Sequence, residues 1–133
     1  MKRIVVFAAV CGVLGLVACG DDKGSSEESE KESTPAVALQ EIGLTRDGVK
    51  QALATYRDGD KATAEEQISE TYLQHFEKVE GPLGKVDEKL NEELEESISG
   101  ELREKFKSGT TAQVEELGAK ILADLGKAEA ALR

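Results

Sequence analysis

Between Val86 and Phe106 an apolar side chain stands at every fourth position: Val86, Leu90, Leu94, Ile98, Leu102 and Phe106. Residues four apart lie one above the other on an α-helix, so the pattern is helical. Each step of four overshoots a 3.6-residue turn by about 40°, and the stripe winds round the surface. A helix over Leu83 to Lys107 must therefore meet different neighbours at its two ends, or bend near Gly100.

Three other segments share the period. Val49, Leu53 and Tyr56 fall on one face of a first helix expected over Thr45 to Asp58, with Gly59 as its stop. Asp60 can cap a second, whose apolar face carries Ile68, Tyr72, Phe76 and Val79 and which is expected to end near Gly81-Pro82. Gly109 stops the third helix, and Thr110-Thr111-Ala112-Gln113 fits a capping box for the fourth. There Val114, Leu117, Ile121, Leu125, Ala128 and Leu132 alternate steps of three and four, the seam of an antiparallel bundle. Pro35 and Pro82 are the sole prolines, tryptophan is absent, and no alternating β-branched run exists. The expected fold is all-α: an up-down antiparallel four-helix bundle with a short first helix over residues 40–133, preceded by a disordered tether.

Residues 1–18 read as an export signal. Lys2 and Arg3 precede an apolar run, Ile4 to Leu14, which is too short to span a bilayer comfortably. Leu16-Val17-Ala18-Cys19 resembles the bacterial lipobox, in which the cysteine is diacylated and becomes the first residue of the mature protein. That resemblance implies a lipid anchor, such as palmitate, on Cys19 and an extracytoplasmic location on the cell membrane, periplasmic or outer. With Cys11 in the signal and Cys19 acylated, neither a disulfide nor a thiolate metal site is expected. Residues 19–39 complete the anchor and tether. Gly20 to Thr34 contains no large apolar side chain and cannot offset its own ordering entropy. Such a segment reaches roughly 20 Å on average and about 50 Å at most.

Charge narrows the partners. The chain has 17 basic and 27 acidic residues, and loss of Lys2 and Arg3 takes its net charge from −10 to −12. Nucleic acid and anionic headgroups would be repelled, whereas cations and cationic proteins would be drawn in.

His75, the single histidine, lies in ETYLQHFEKVEGPL among Glu70, Glu77 and Glu80. Its place at the edge of the second helix's apolar stripe fits a partly buried core histidine. Imidazole beside carboxylates also fits a metal ligand set of His75, Glu77 and Glu70. Glu66, Glu70 and Glu77 share one side of the second helix, and Glu92, Glu95 and Glu96 cluster on the third. If these faces meet they can hold a hard cation; otherwise they are solvated faces. Tyr72 stands three before His75, so the Glu-x-x-His pair of di-iron bundles is missing. No haem-attachment, zinc-protease, phosphate-loop or Gly-x-Ser-x-Gly motif occurs, and no enzymatic activity is expected. Asp58-Gly59-Asp60-Lys61 lacks the remaining ligands of a calcium loop and reads as a helix stop followed by a cap.

YRDGD (Tyr56 to Asp60), TYLQHFE (Thr71 to Glu77), ELREKFKSG (Glu101 to Gly109) and VEELGAKILADL (Val114 to Leu125) occur in this order. As an ordered set they resemble the helical extracytoplasmic domain that many bacterial ferric iron permeases carry ahead of their membrane spans. The resemblance implies an accessory role in iron uptake, with ferric iron as the bound ion and a permease or other envelope protein as partner. It also implies core roles for Tyr56, Tyr72 and Phe76, turn roles for Gly59 and Asp60, and Glu77 as the leading polar candidate. It does not extend to the permease's membrane spans or their Arg-Glu-x-x-Glu motif, since Arg103-Glu104 is followed by Lys105-Phe106-Lys107. Imelysin-like lipoproteins are a neighbouring comparison, but Lys78 stands where their His-x-x-Glu signature needs an acid. The alternative role is an envelope module that binds protein and no metal.

Overall fold

The computed structural model of the protein describes residues 33–133. The expected signal segment, Cys19 and the tether as far as residue 32 lie outside the described residues. Helix α1 is Pro35–Arg57. Helix α2, residues 61–86, comprises Lys61–Thr71, a π-helical stretch Tyr72–Phe76 and Glu77–Val86. Helix α3, residues 88–108, comprises Glu88–Glu95, a π-helical stretch Glu96–Glu101 and Leu102–Ser108, and α4 is Thr111–Ala131. Each helix packs on its successor and α4 packs back on α1, which makes an antiparallel up-down four-helix bundle. Among the described residues no helix is long and apolar enough to cross a membrane.

The first helix is longer than expected. It runs for 23 residues from Pro35, so residues 35–39, assigned to the tether from sequence, belong to the bundle. Thr34 caps it by accepting from the Val37 N–H at 3.3 Å, and Pro35, whose missing N–H costs nothing in a first turn, starts it. Ala38, Ile42 and Thr45 then continue the buried face that Val49, Ala52, Leu53 and Tyr56 complete.

The second helix passes Gly81-Pro82 instead of ending there. Val79, Pro82 and Leu83 are buried, so packing on this turn outweighs proline's poor fit inside a helix. Asp87 alone joins α2 to α3. Its non-helical backbone ends one helix, and its carboxylate caps the next by accepting from the Leu90 N–H at 3.0 Å. Val86, placed on the third helix's apolar face from sequence, ends α2 and is 57% exposed.

The π stretches explain the stripe of fours. A π turn closes i to i+5 and takes more residues per revolution than an α turn. The drift of about 40° per step in an α-helix is thereby partly undone. Leu90, Leu94, Ile98, Leu102 and Phe106 all stay buried on α3, and Ala64, Ile68 and Phe76 do so on α2.

At the far end of α1 the chain reverses in a Schellman motif. Asp60 N–H donates to the Thr55 carbonyl at 3.2 Å and Gly59 N–H to the Tyr56 carbonyl at 3.0 Å. Gly59 holds φ at +94°, a backbone state side chains resist. Asp60 then caps α2 by accepting from the Thr63 N–H. The expected capping box of α4 is present, with Thr110 and Gln113 satisfying each other's backbone N–H groups.

Side chains from all four helices meet in one core, in which Phe76, Phe106, Ile42, Ile68, Leu83, Leu94, Ile98, Leu102, Ile121 and Leu125 are fully buried. Tyr56 stacks on Phe106 with ring centroids 5.2 Å apart. On α4 the buried face includes Gly118 and Asp124, whereas Leu117 and Leu132 are only partly buried. Gly118 is there because α4 lies hard against Leu53 of α1, where an added Cβ would stand 2.6 Å from Leu53 Cδ1.

Ion pairs cross the seams. Arg57 grips Glu115 with two hydrogen bonds and Arg46 reaches Glu129 at 2.7 Å, both between α1 and α4. Glu65 of α2 takes Lys107 and Arg103 of α3 at 2.8 and 3.4 Å. Exposed pairs of this kind contribute little stability; they favour one register of helix against helix.

Candidate functional site

Helices α1 and α2 are joined by a charged contact in which Glu41 is central. This residue is 9% exposed. One carboxylate oxygen lies 2.7 Å from His75 Nδ1 and the other accepts from Lys78 Nζ at 3.1 Å. Burial works to raise the Glu41 pKa, but the hydrogen bonds from His75 and Lys78, aided by Lys78's charge, outweigh it and hold the carboxyl below its ordinary value. The geometry follows from the helices. Glu41 falls on the buried side of α1 beside Ile42, and His75 lies in the π stretch of α2, one residue before fully buried Phe76.

His75 also forms part of the wall of a polar cleft of about 290 Å³ between α1 and α2. Asp47, Gln67, Glu70, Thr71 and Gln74 line the same cleft. Its floor is narrow because Gly48 brings α1 against Thr71, where a Cβ would stand 2.2 Å from Oγ1. The side-chain amide oxygen of Gln67, Oε1, is buried without a hydrogen-bond partner among the described residues, whereas its backbone carbonyl accepts from the Thr71 hydroxyl at 2.7 Å.

The structure thus brings Glu70 and His75 to one cleft and leaves Glu77 elsewhere. Glu77 is exposed and acts electrostatically on a second group, between α2 and α3. There the Tyr72 hydroxyl donates to Glu80 Oε1 at 2.8 Å. Burial, the bond to Glu80 and the charges of Glu80, Glu95 and Glu77 push the Tyr72 phenol well above its ordinary range. Burial also pushes Glu80 up, with Glu95 and Glu77 adding to it, against the hydrogen bond from Tyr72. Tyr72 is partly buried, while Tyr56 and Phe76 are core residues. Glu66, Glu92, Glu95 and Glu96 are exposed. Among the described residues no three His, Cys, Asp or Glu side chains stand together closely enough to hold a metal ion.

Glu41 was missed in the sequence reading. Its signal was available: Thr34-Pro35 opens a helix on which Glu41 falls three after Ala38 and four before Thr45. Asp124 was missed as well. It is buried on α4, with Lys127 at 2.7 Å and Lys120 at 3.1 Å. Burial opposes ionisation there, but the two lysine hydrogen bonds prevail and lower its pKa.

Fold and cleft define a small all-helical bundle with one charged, histidine-bearing groove. Comparison with known protein families, curated proteins and solved structures returned no match.

Proposed function

We propose that this chain is an accessory lipoprotein of the cell envelope, held at the membrane by acylated Cys19, whose helical domain helps a partner permease bind or take up a cation, iron first. The observation that supports this reading is the imidazole of His75, held by a buried carboxylate on the wall of a cleft that also carries Glu70 and Asp47. Imidazole with carboxylates suits iron, copper or zinc. Since no three His, Cys, Asp or Glu side chains stand together closely enough to hold a metal ion among the described residues, this reading requires the partner to supply further ligands.

Calorimetric titration with ferric nitrilotriacetate at moderate salt tests the cation half. Saturable binding weakened about tenfold or more by His75→Ala is the expected result. Salt screens diffuse uptake by surface acids, so a flat titration at moderate salt ends the iron reading. For the anchor, Cys19→Ser is expected to leave an unprocessed precursor without lipid label, and normal processing of that variant refutes it.

The second reading is protein binding without metal. It is supported by the edge formed by Glu77, Glu80 and Glu95, whose mutual repulsion a basic partner surface would relieve.

A further inference from the structure

We infer that the end of the bundle at which the chain enters α1 is a lipid-facing surface, and that the apolar groove formed there by α1, α2 and α4 rests on the bilayer that holds acylated Cys19. This inference rests on the anchor half of the reading above and is independent of the cation half.

The two ends of the bundle differ. Antiparallel connectivity puts the start of α1, the end of α2 and the end of α4 together. There Pro35, Pro82, Val86, Ala131 and Leu132 line a groove of about 240 Å³, and among the described residues Lys85 is the one charged side chain on its wall. Val86 is 57% exposed, and Val37, on the first turn of α1, is 42% exposed. At the opposite end Arg57, Asp58, Asp60, Lys61 and Lys107 face the solvent. Among the described residues no large apolar side chain is exposed there, since Leu44 and Leu73 lie midway along α1 and α2. Apolar surface gathered at one end, with charge at the other, marks that end for an apolar partner.

The chain's own connectivity selects the bilayer as that partner. The stretch from Cys19 to Ser33 spans about 50 Å fully extended, with an average reach of roughly 20 Å expected from its sequence. Helix α4, at 21 residues, is about 32 Å long. At the average reach the entry end meets the lipid and the Gly59 end does not. Tethering holds the groove there at an effective concentration of roughly millimolar, so a contact too weak to recruit a free domain is still populated. Lys85 suits such an interface, because its stem can lie along the groove while its ammonium stays among the headgroups. The net charge of −10 works against attraction to anionic headgroups and leaves the apolar end as the favourable contact. Asp87, Glu88 and Lys89 are exposed at the α3 corner, do not line the groove, and remain in water.

The test uses the full lipidated chain in phosphatidylcholine vesicles doped with lipid that carries a nitroxide on its acyl chain. A fluorophore is placed on Ala36→Cys at the entry end or on Asp58→Cys at the far end, both exposed positions. The Ala36 label is expected to lose fluorescence and the Asp58 label to keep it. Adding Val37→Glu and Val86→Glu, two exposed changes that leave the helical spectrum intact, is expected to restore the Ala36 signal while the chain still floats with the vesicles. Quenching that survives this pair comes from the tether alone and overturns the inference. A floating chain whose Ala36 label is never quenched overturns it too and spares the anchor. A chain that sediments as a dimer in detergent, and as a monomer once Val37→Glu and Val86→Glu are present, has a second copy on the groove, which also overturns it. A chain that does not float removes the anchor reading and this inference together.

Discussion

Gly48 and Gly126 show how one substitution can have opposite signs in two helices of the same molecule. At Gly48 an added Cβ would stand 2.2 Å from Thr71 Oγ1 and 3.0 Å from its Cβ, and so short a side chain has little room to retreat. Gly48→Ala should therefore force α1 from α2 and cost roughly 1–3 kcal/mol. At Gly126, inside α4, nothing lies within 4 Å of the same atom. Gly126→Ala should gain roughly 0.5–1 kcal/mol, because alanine loses less backbone entropy in a helix. Urea unfolding of the two variants checks both signs. The sequence did not distinguish these glycines, since a close approach exists only once the partner helix is in place. The same is true of Glu41: its residue type was visible, but its worth depends on His75 and Lys78 arriving from another helix.

At the scale of the element, the informative failures are the helix ends and the π stretches. The ends near Thr34 and Pro82 were misread because cap chemistry was given too little weight at one and proline too much at the other. The π stretches were encoded in the fourfold spacing, which a straight α-helix cannot keep on one face. A π stretch accommodates one residue more than an α-helical path of the same span. Deleting Gly100, which is exposed and where an added Cβ would meet no neighbouring element within 4 Å, should therefore let α3 revert to α-helix and leave Leu102 and Phe106 on the core side. Deleting Glu104, in the α-helical part that follows, rotates Phe106 by about 100° away from its seat. The first variant is expected to keep a cooperative thermal transition within a few degrees of wild type. Removing Phe106 from the core costs about 3–5 kcal/mol, so the second should lose most of its stability. Equal damage from both deletions would refute the account.

For the whole molecule, acid behaviour follows from three buried or half-buried carboxyls. Glu41 and Asp124 have folded pKa values below their ordinary ones, so their contribution is present above the ordinary value and is lost as pH falls through the lowered one. Glu80 has the opposite sign. Its raised value means that ionisation burdens the fold at neutral pH, and the burden lifts as pH falls through that value. The melting temperature should therefore rise slightly on mild acidification and then fall once Glu41 and Asp124 protonate. Glu80→Gln should raise Tm at neutral pH and remove the initial rise, since the amide oxygen still accepts from Tyr72. A Tm that only falls below pH 7 in the wild type contradicts the assignment. The sequence alone determined the class of fold, the number of helices, the turn at Gly59 and the cap at Thr110, because each depends on residues a few positions apart. Tertiary structure decided where α1 begins, that Pro82 stays inside a helix, and that His75 and Glu70 share a cleft while Glu77 does not. Those outcomes depend on contacts between helices, and no local pattern carries the energy of a neighbour's surface.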